Sequence, residues 1–170
     1  ETYAKYQSVV VETIAEKDGV TDLADLESKL AGDDVAGVIL AQPNYYGIVE
    51  DYTGVADMCH AKKAMFVMNA KPSALAVLKT PAEWGADIAC GDAQSLGIPM
   101  CYGGPYVGYL ACNNANVRKL PGRIVGATTD VDGKRAFVLT LQAREQHIRR
   151  EKANSNICSN QSLMALYVTM

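Results

Sequence analysis

The sequence predicts an α/β fold: a three-layer sandwich in which helices cover both faces of a mostly parallel sheet. Short apolar runs alternate along the chain with amphipathic segments, which is typical of right-handed βαβ units. The runs Ala36–Gln42 and Ala64–Ala70 are almost continuously apolar, as strands covered on both faces are. A length of 170 residues suits a single domain, so we assign residues 1–170 to one domain.

The first part of the chain predicts a strand, a turn and a helix. Residues Val9–Ala15 are rich in β-branched side chains, which favours a strand. Asp18-Gly19 predicts a turn. Thr21 or Asp22 can cap a helix with leucines three and four residues apart, which ends at Gly32.

Helices and strands continue to alternate after this point. The segment Glu50–Lys63 is amphipathic and predicts a helix that places Val55, Met58 and Cys59 inward. Pro72 ends the strand Ala64–Ala70. The remaining predicted elements are a short apolar segment at Ser73–Leu78, strands at Asp87–Cys90, Val107–Cys112 and Arg135–Gln142, helical turns at Glu1–Gln7 and Asn114–Leu120, a charged helix at Arg144–Lys152 and an apolar last helix.

Composition excludes several classes of protein. A net charge of −3 leaves no basic excess for binding a nucleic acid backbone. No apolar run approaches the ~20 residues of a membrane span, and no signal peptide pattern is present, so we expect a cytoplasmic protein. The five cysteines are widely spaced and predict buried, reduced thiols rather than disulfides or a zinc site. Because the chain starts without Met and stops within an apolar helical pattern, we expect a piece excised from a longer polypeptide.

The crossing Gly91–Gly108 joins two predicted strands, and ligands of open α/β sheets bind beyond the carboxyl ends of such strands. No lysine lies between Lys79 and Lys119, so this crossing cannot hold an aldehyde cofactor as a Schiff base. Gly103 and Gly104 are not followed by Lys-Ser or Lys-Thr, and no GxGxxG motif occurs. These glycines therefore predict a tight backbone turn rather than a nucleotide site.

Other candidate residues follow the neighbouring strands. Asn69 closes a strand where an acidic side chain would pair with a protonated ring nitrogen of a cofactor, and asparagine lacks that charge. We expect Lys71 to be solvated or paired. Tyr45 and Tyr46 follow another strand end; they either stack on a ligand or partner, or form a half-buried rim.

The polar link after the charged helix is a further candidate. Asn154, Ser155 and Asn156 carry small polar side chains between two helices. Such a link can bind a phosphate or carboxylate, including one from a neighbouring subunit. A plain connection between two helices is the alternative.

Three stretches resemble one known family, the P-protein of the glycine cleavage system, which is the pyridoxal-phosphate-dependent decarboxylating glycine dehydrogenase. They are PNYYGIVED at Pro43–Asp51, GADIACGDAQSLGIPMCYGGPYVGYLA at Gly85–Ala111, and the stretch Pro121–Leu163, which contains REQHIRREKANSNIC. The resemblance covers essentially all 170 residues. It is closest to the amino-terminal half, which is a separate α-subunit, subunit 1, in many bacteria.

The resemblance implies the large domain of a fold-type-I enzyme and a specific reaction. Glycine condenses with pyridoxal phosphate, loses CO₂ and passes its aminomethyl group to the lipoyl arm of the H-protein. Family members that hold the cofactor place its lysine near Gln94 and Ser95, and a ring-nitrogen aspartate near Asn69. Neither charge is present here.

We therefore expect no catalytic residue and no covalent cofactor in this chain. The resemblance implies that pyridoxal phosphate is attached to the partner, subunit 2 or β-subunit, in a heterotetramer. The residues expected near the cofactor or the interface are Asn69, Gln94, Ser95, Gly103, Gly104, Asn154, Ser155 and Asn156. The alternative is a non-catalytic structural or regulatory module of the same ancestry.

Overall fold

A computed structural model of the chain describes residues 2–32, 34–121, 123–141, 148 and 161–170. Its helices are α1 (Thr2–Lys5), α2 (Leu23–Leu30), α3 (Val55–Ala61) and α4 (Ser162–Thr169), with 3₁₀ turns at Pro72–Ala76 and Val117–Lys119. Its strands are β1 (Glu16–Lys17), β2 (Val20–Thr21), β3 (Gly37–Gln42), β4 (Met65–Ala70), β5 (Ile88–Asp92), β6 (Gly108–Cys112), β7 (Ile124–Thr129) and β8 (Arg135–Thr140). Within these ranges, no helix has the length and apolarity needed to cross a membrane.

The central sheet has the strand order β3-β4-β5-β6. The pairs β3–β4 and β4–β5 are parallel, and β6 runs antiparallel to β5. This mixed, mostly parallel sheet confirms the predicted α/β class. Two antiparallel ribbons, β1–β2 and β7–β8, lie outside the central sheet. Strand β8 was predicted, whereas β1, β2 and β7 were not.

Helix α2 begins where its cap predicts, and α3 begins later than predicted. The Asp22 carboxylate accepts hydrogen bonds from the backbone N–H groups of Ala24 and Asp25, which satisfies the first turn of α2. The Asp51 carboxylate instead holds a turn through the backbone N–H and hydroxyl of Thr53. Because that turn precedes Gly54, which has φ of 84°, α3 starts only at residue 55.

The core lies between α2, α3 and one face of the sheet. Side chains of β3 and β4 alternate between this face and the opposite one. The fully buried members are Leu26, Leu30, Val38, Leu40, Tyr52, Val55, Cys59, Ala64, Phe66, Met68 and Ala70. The predicted inward positions of α3 are thus confirmed for Val55 and Cys59, while Met58 packs partly buried against them.

In the part of the chain that the structure describes, no element covers the opposite face of β3, which corrects the expectation that this strand is covered on both faces. Ile39 is 68% exposed there, and Met65 on β4 is also exposed. The reason is that α2 and α3 both pack against the other face of the sheet. We call the exposed side the open face.

The prediction of a strand at Val9–Ala15 is wrong. The backbone N–H of Ala15 donates to the Asp25 carboxylate at 2.6 Å, and the Ala15 carbonyl accepts from the N–H of Asp22. The end of this segment is therefore bound to the start of α2 instead of to a strand. The predicted turn at Asp18-Gly19 is confirmed, since it joins β1 to β2.

Asp87 joins three elements at the amino-terminal edge of the sheet. One oxygen of its carboxylate accepts from the backbone N–H of Phe66 at 2.9 Å and lies 2.9 Å from His60 Nε2. The other oxygen accepts from Asn113 Nδ2 at 2.9 Å. Burial alone would raise the pKa of Asp87, but these hydrogen bonds and the nearby imidazole lower it below its usual value.

Replacing this carboxylate should change how stability depends on pH. Because the folded-state pKa of Asp87 is lowered, its stabilisation is complete above the pKa of the unfolded chain and is lost as the pH falls through the folded pKa. Asp87→Asn should therefore lower the free energy of unfolding at neutral pH, and the difference from the wild type should shrink below about pH 4. Urea unfolding of the full-length subunit at several pH values measures this, with Asp132→Asn in an exposed turn as the control. A constant difference across the range would contradict the prediction.

Candidate functional site

The carboxyl ends of β3, β4 and β5 meet at one edge of the sheet. The strand register places Ala41, Asn69, Cys90 and Leu110 side by side in one row across the open face. Asn69 is exposed, and among the described residues its amide has no hydrogen-bond partner. Burial raises the pKa of the neighbouring Cys90 thiol, so this thiol is neutral at physiological pH. The row therefore offers one free amide on an otherwise uncharged surface.

The loop after β3 is held by Asn44. Its Nδ2 donates to the Gly19 carbonyl at 2.7 Å and to the Glu50 carboxylate at 2.8 Å. Its Oδ1 accepts from the backbone N–H groups of Tyr46 and Ile48. Because all four hydrogen-bonding positions of the amide are used, Asn44 has a structural role and cannot bind a ligand through its side chain.

The two tyrosines of this loop are not a half-buried rim. Tyr45 is 95% exposed and Tyr46 is 60% exposed. Their rings meet edge to face, with centroids 5.4 Å apart. The half-buried rim is therefore wrong, and stacking on a ligand or partner stays a prediction. Lys71 is exposed as predicted, one residue beyond β4.

The predicted crossing after β5 is braced from within. Gln94 Nε2 donates to the Pro105 carbonyl at 2.9 Å. A Cβ on Gly104 would lie 2.6 Å from that nitrogen, so the Gln94 amide would have to move to make room for it. Gly103 and Gly104 have φ of 91° and 75°, which confirms their predicted role in a backbone turn. Gln94 is therefore engaged, whereas Ser95 is exposed.

The crossing also exposes one thiol. Cys101 lies in the turn that closes with the hydrogen bond from Gly104 N–H to its carbonyl. Cys59 is buried as predicted, and burial raises its pKa to about 11. Cys101, however, is exposed, so the prediction of buried thiols is wrong there. The reason is that Cys101 lies in a loop, and loops generally lie on the protein surface.

Sequence reasoning missed a contact that joins β4, β5 and β6. The Tyr109 hydroxyl donates to the Ala70 carbonyl at 2.5 Å, at the carboxyl end of β4. Its ring crosses Gly91, where an added Cβ would lie 2.8 Å from Tyr109 Cε1 and would also collide with the Ala70 carbonyl oxygen. Gly91 directly follows the predicted strand Asp87–Cys90 and lies inside the observed β5, and a glycine within a strand often marks a close approach of another chain segment.

The structure therefore brings together only some of the predicted site residues. Gln94, Gly103 and Gly104 lie in one braced crossing, and Asn69 lies on the open face. The predicted helix Arg144–Lys152, and Asn154, Ser155 and Asn156 after it, lie outside the described residues. Within the described ranges, no three His, Cys, Asp or Glu side chains are grouped as metal ligands.

This sheet, its covered face and its braced carboxyl edge define an α/β domain of the type found in fold-type-I pyridoxal phosphate enzymes. The chain belongs to the glycine cleavage system P-protein family, whose model matches residues 1–170. It is 47% identical to a chain described as glycine decarboxylase (P-protein) of the glycine cleavage system in inhibitor-bound form, with a TM-score of 0.87 over 98% of this chain and 37% of that one. The predicted family and fold class are thereby confirmed.

Curated relatives match over almost the whole chain. It is 56% identical to a probable glycine dehydrogenase (decarboxylating) subunit 1 of Moorella thermoacetica, over 99% of this chain. It is 54% identical to the protein of the same name in Geobacillus kaustophilus, over 97% of this chain. The chain spans only 38% and 37% of the length of these relatives.

A methyl group at Gly91 should disturb the carboxyl edge. Gly91→Ala would push against the Ala70 carbonyl and the Tyr109 ring, and overpacking of this kind costs about 1–3 kcal/mol of stability. Gly108→Ala is the matched control, since a Cβ there meets its nearest neighbour at 3.8 Å. Urea unfolding of the full-length subunit should show a clear loss for the first variant and a smaller one for the second. Equal losses would contradict the steric argument.

Removing the amide of Gln94 should loosen the crossing. Gln94→Met keeps the length of the side chain but removes the donor to the Pro105 carbonyl, which is worth about 0.5–1.5 kcal/mol. Hydrogen exchange at the Gly104 amide should then become roughly threefold to tenfold faster. Ser95→Ala, at an exposed neighbouring position, should leave the rate unchanged. An unchanged rate in Gln94→Met would show that other contacts hold the turn.

Proposed function

We propose that this chain is part of the glycine dehydrogenase subunit that does not carry the cofactor. In this proposal the subunit works with a lysine-bearing subunit 2, to which pyridoxal phosphate is attached. Family membership and relatives named glycine dehydrogenase (decarboxylating) subunit 1 support the proposal. The heterotetrameric assembly and the cytoplasmic location remain predictions.

The observation that carries the proposal is the chemistry of the carboxyl edge. The crossing between β5 and β6 contains no lysine, so it offers no amine for a Schiff base. Asn69, at the end of β4, is a neutral amide and cannot stabilise a protonated ring nitrogen as a carboxylate would. The residues present therefore do not fit a covalently held pyridoxal phosphate.

The other lysines near this region are also poorly suited to hold the cofactor. Lys79 lies over the Trp84 ring at 4.4 Å, and Trp84 packs against the core. Lys71 follows β4 instead of β5, outside the crossing in which the family's lysine is expected. We therefore assign no catalytic residue to the chain.

The proposed reaction is decarboxylation of glycine and transfer of its aminomethyl group to lipoyl H-protein. When bound to the partner subunit, pyridoxal phosphate would supply the electron sink for the carbanion left by loss of CO₂. This chain would contribute a surface next to that site. Within the row Ala41, Asn69, Cys90 and Leu110, Asn69 supplies the one amide without an internal hydrogen bond in the described part of the chain. The braced crossing keeps a fixed shape beside it.

A structural or regulatory module of the same ancestry is the second candidate. One observation favours it: Asn44, Gln94 and Tyr109 all use their polar groups for internal hydrogen bonds. Such a module would need no residue directed at the reaction. The two candidates therefore differ in what Asn69 does.

Reconstitution tests the proposed function. We expect full-length subunit 1 and subunit 2 to exchange bicarbonate with the carboxyl group of glycine only when both are mixed with pyridoxal phosphate and lipoyl H-protein. After borohydride reduction, peptide mapping should find the pyridoxyl label on subunit 2. A label on Lys71, or on any other lysine of this chain, would overturn the proposal.

Substitution on β4 separates the two candidates. An enzyme subunit predicts that Asn69→Ala lowers the exchange rate severalfold while the two subunits still associate. Met65→Ala is the matched control, since it lies on the same open face at the opposite end of the same strand. Full activity in both variants would favour the structural module.

A further inference from the structure

The ribbon β1–β2 and the loop after β3 form one continuous surface. The Tyr46 hydroxyl donates to the Glu16 carboxylate at 2.9 Å. A Cβ on Gly19 would lie 3.2 Å from Ile48 Cδ1, so the ribbon turn and the loop are in close contact. Val20, Thr21, Leu23, Val49, Glu50 and Asp51 line an open depression between the two elements.

This surface is stiff as well as exposed. Glu50 accepts from the backbone N–H of Thr21 at 2.8 Å and from Asn44 Nδ2 at 2.8 Å. Gln42 exchanges two further hydrogen bonds with the Glu50 backbone, at 2.7 and 3.1 Å. These bonds hold the loop backbone in one conformation, so ordering this backbone costs little conformational entropy when a partner binds.

The exposed side chains have the composition of a protein interface. Tyr45, Tyr46 and Val49 are all exposed on the loop, and Leu23 is exposed beside the depression. Contiguous apolar side chains with a polar rim mark interaction sites, and tyrosine is enriched where binding energy is concentrated. We call the set Val20, Leu23, Tyr45, Tyr46 and Val49 the tyrosine surface.

Carboxylates outnumber cations around the tyrosine surface, where Lys17 lies in the ribbon and Lys79 interacts electrostatically with Asp51. The sequence from Glu12 to Asp57 contains eleven carboxylates and only two lysines. Glu50 is 8% exposed, and no cation pairs with it among the described residues. The excess of carboxylates on and beside this surface favours a partner that supplies cations.

We propose that the tyrosine surface is a docking site for subunit 2, and that the docked segment presents apolar side chains flanked by Lys or Arg. The inference rests on the proposed function, which supplies the second subunit. The surface lies at the carboxyl end of β3, on the same edge of the sheet as the crossing after β5. A partner that completes the site at this edge is therefore well placed to contact the tyrosine surface.

Binding between full-length subunits 1 and 2 tests the inference. The double substitution Tyr45→Ser and Val49→Ser should raise the Kd by at least about tenfold, as expected when interface anchors are truncated. Asp18→Asn and Asp51→Asn together should reduce the salt dependence of the association rate, because rim charges steer association. Asn tolerates the φ of 56° at residue 18, and at residue 51 it keeps an acceptor for Thr53.

Control variants and a second measurement separate the outcomes. Val77→Ser and Val131→Ser, which alter exposed valines elsewhere, should leave the Kd unchanged. The inference is overturned if the tyrosine variants bind subunit 2 like the wild type. It is also overturned if they lower the Tm of isolated subunit 1, because its own chain or a second copy would then cover the surface. If wild-type subunits neither associate nor exchange bicarbonate with glycine, the proposed function fails first.

Discussion

Burial of one face of β3 and β4 under α2 and α3 is the interaction on which the rest of the structure depends. Phe66 and Met68 lie in the sheet beneath Val55 and Cys59 of α3, and all four are inaccessible to solvent. Burial of a side chain such as Phe66 or Met68 contributes about 1.5–3 kcal/mol. Because side chains alternate along a strand, this packing also decides that Asn69 faces outward.

Polar groups then hold the two edges of the sheet. At the amino-terminal edge, Asp87 accepts hydrogen bonds from the chain and side chains of neighbouring elements. At the carboxyl edge, Asn44 and Tyr109 donate to backbone carbonyls that are distant in sequence. Buried or half-buried polar groups that are fully paired make a rigid structure. These three polar side chains are therefore parts of the scaffold.

Under the proposed function, this carboxyl edge lets the domain serve a reaction without holding its cofactor. The fold keeps the strand ends, the crossing and the loop after β3 in place, while the lysine that would tether an aldehyde is missing. A neutral Asn69 and an acid-rimmed tyrosine pair remain exposed. In the proposed function such a domain provides shape and contacts, and its partner provides the amine.

Local patterns in the sequence determined the strands β3, β4 and β5 and the cap of α2 at Asp22. The sequence also showed directly that the crossing contains no lysine. Propensity, capping and apolar periodicity act over a few residues, so they can be identified without coordinates. The resemblance to the P-protein family also came from the sequence, through long shared stretches.

The tertiary structure alone decided which face of β3 is open, why Val9–Ala15 is not a strand, and how Glu50 and Tyr109 are used. Glu50 meets Thr21 across 29 residues of chain, and Tyr109 meets Ala70 across 39. Partners so far apart in sequence leave no local pattern. Their pairing follows only from the packing that brings the elements together. It could therefore not be predicted from the residues adjacent to each partner in the sequence.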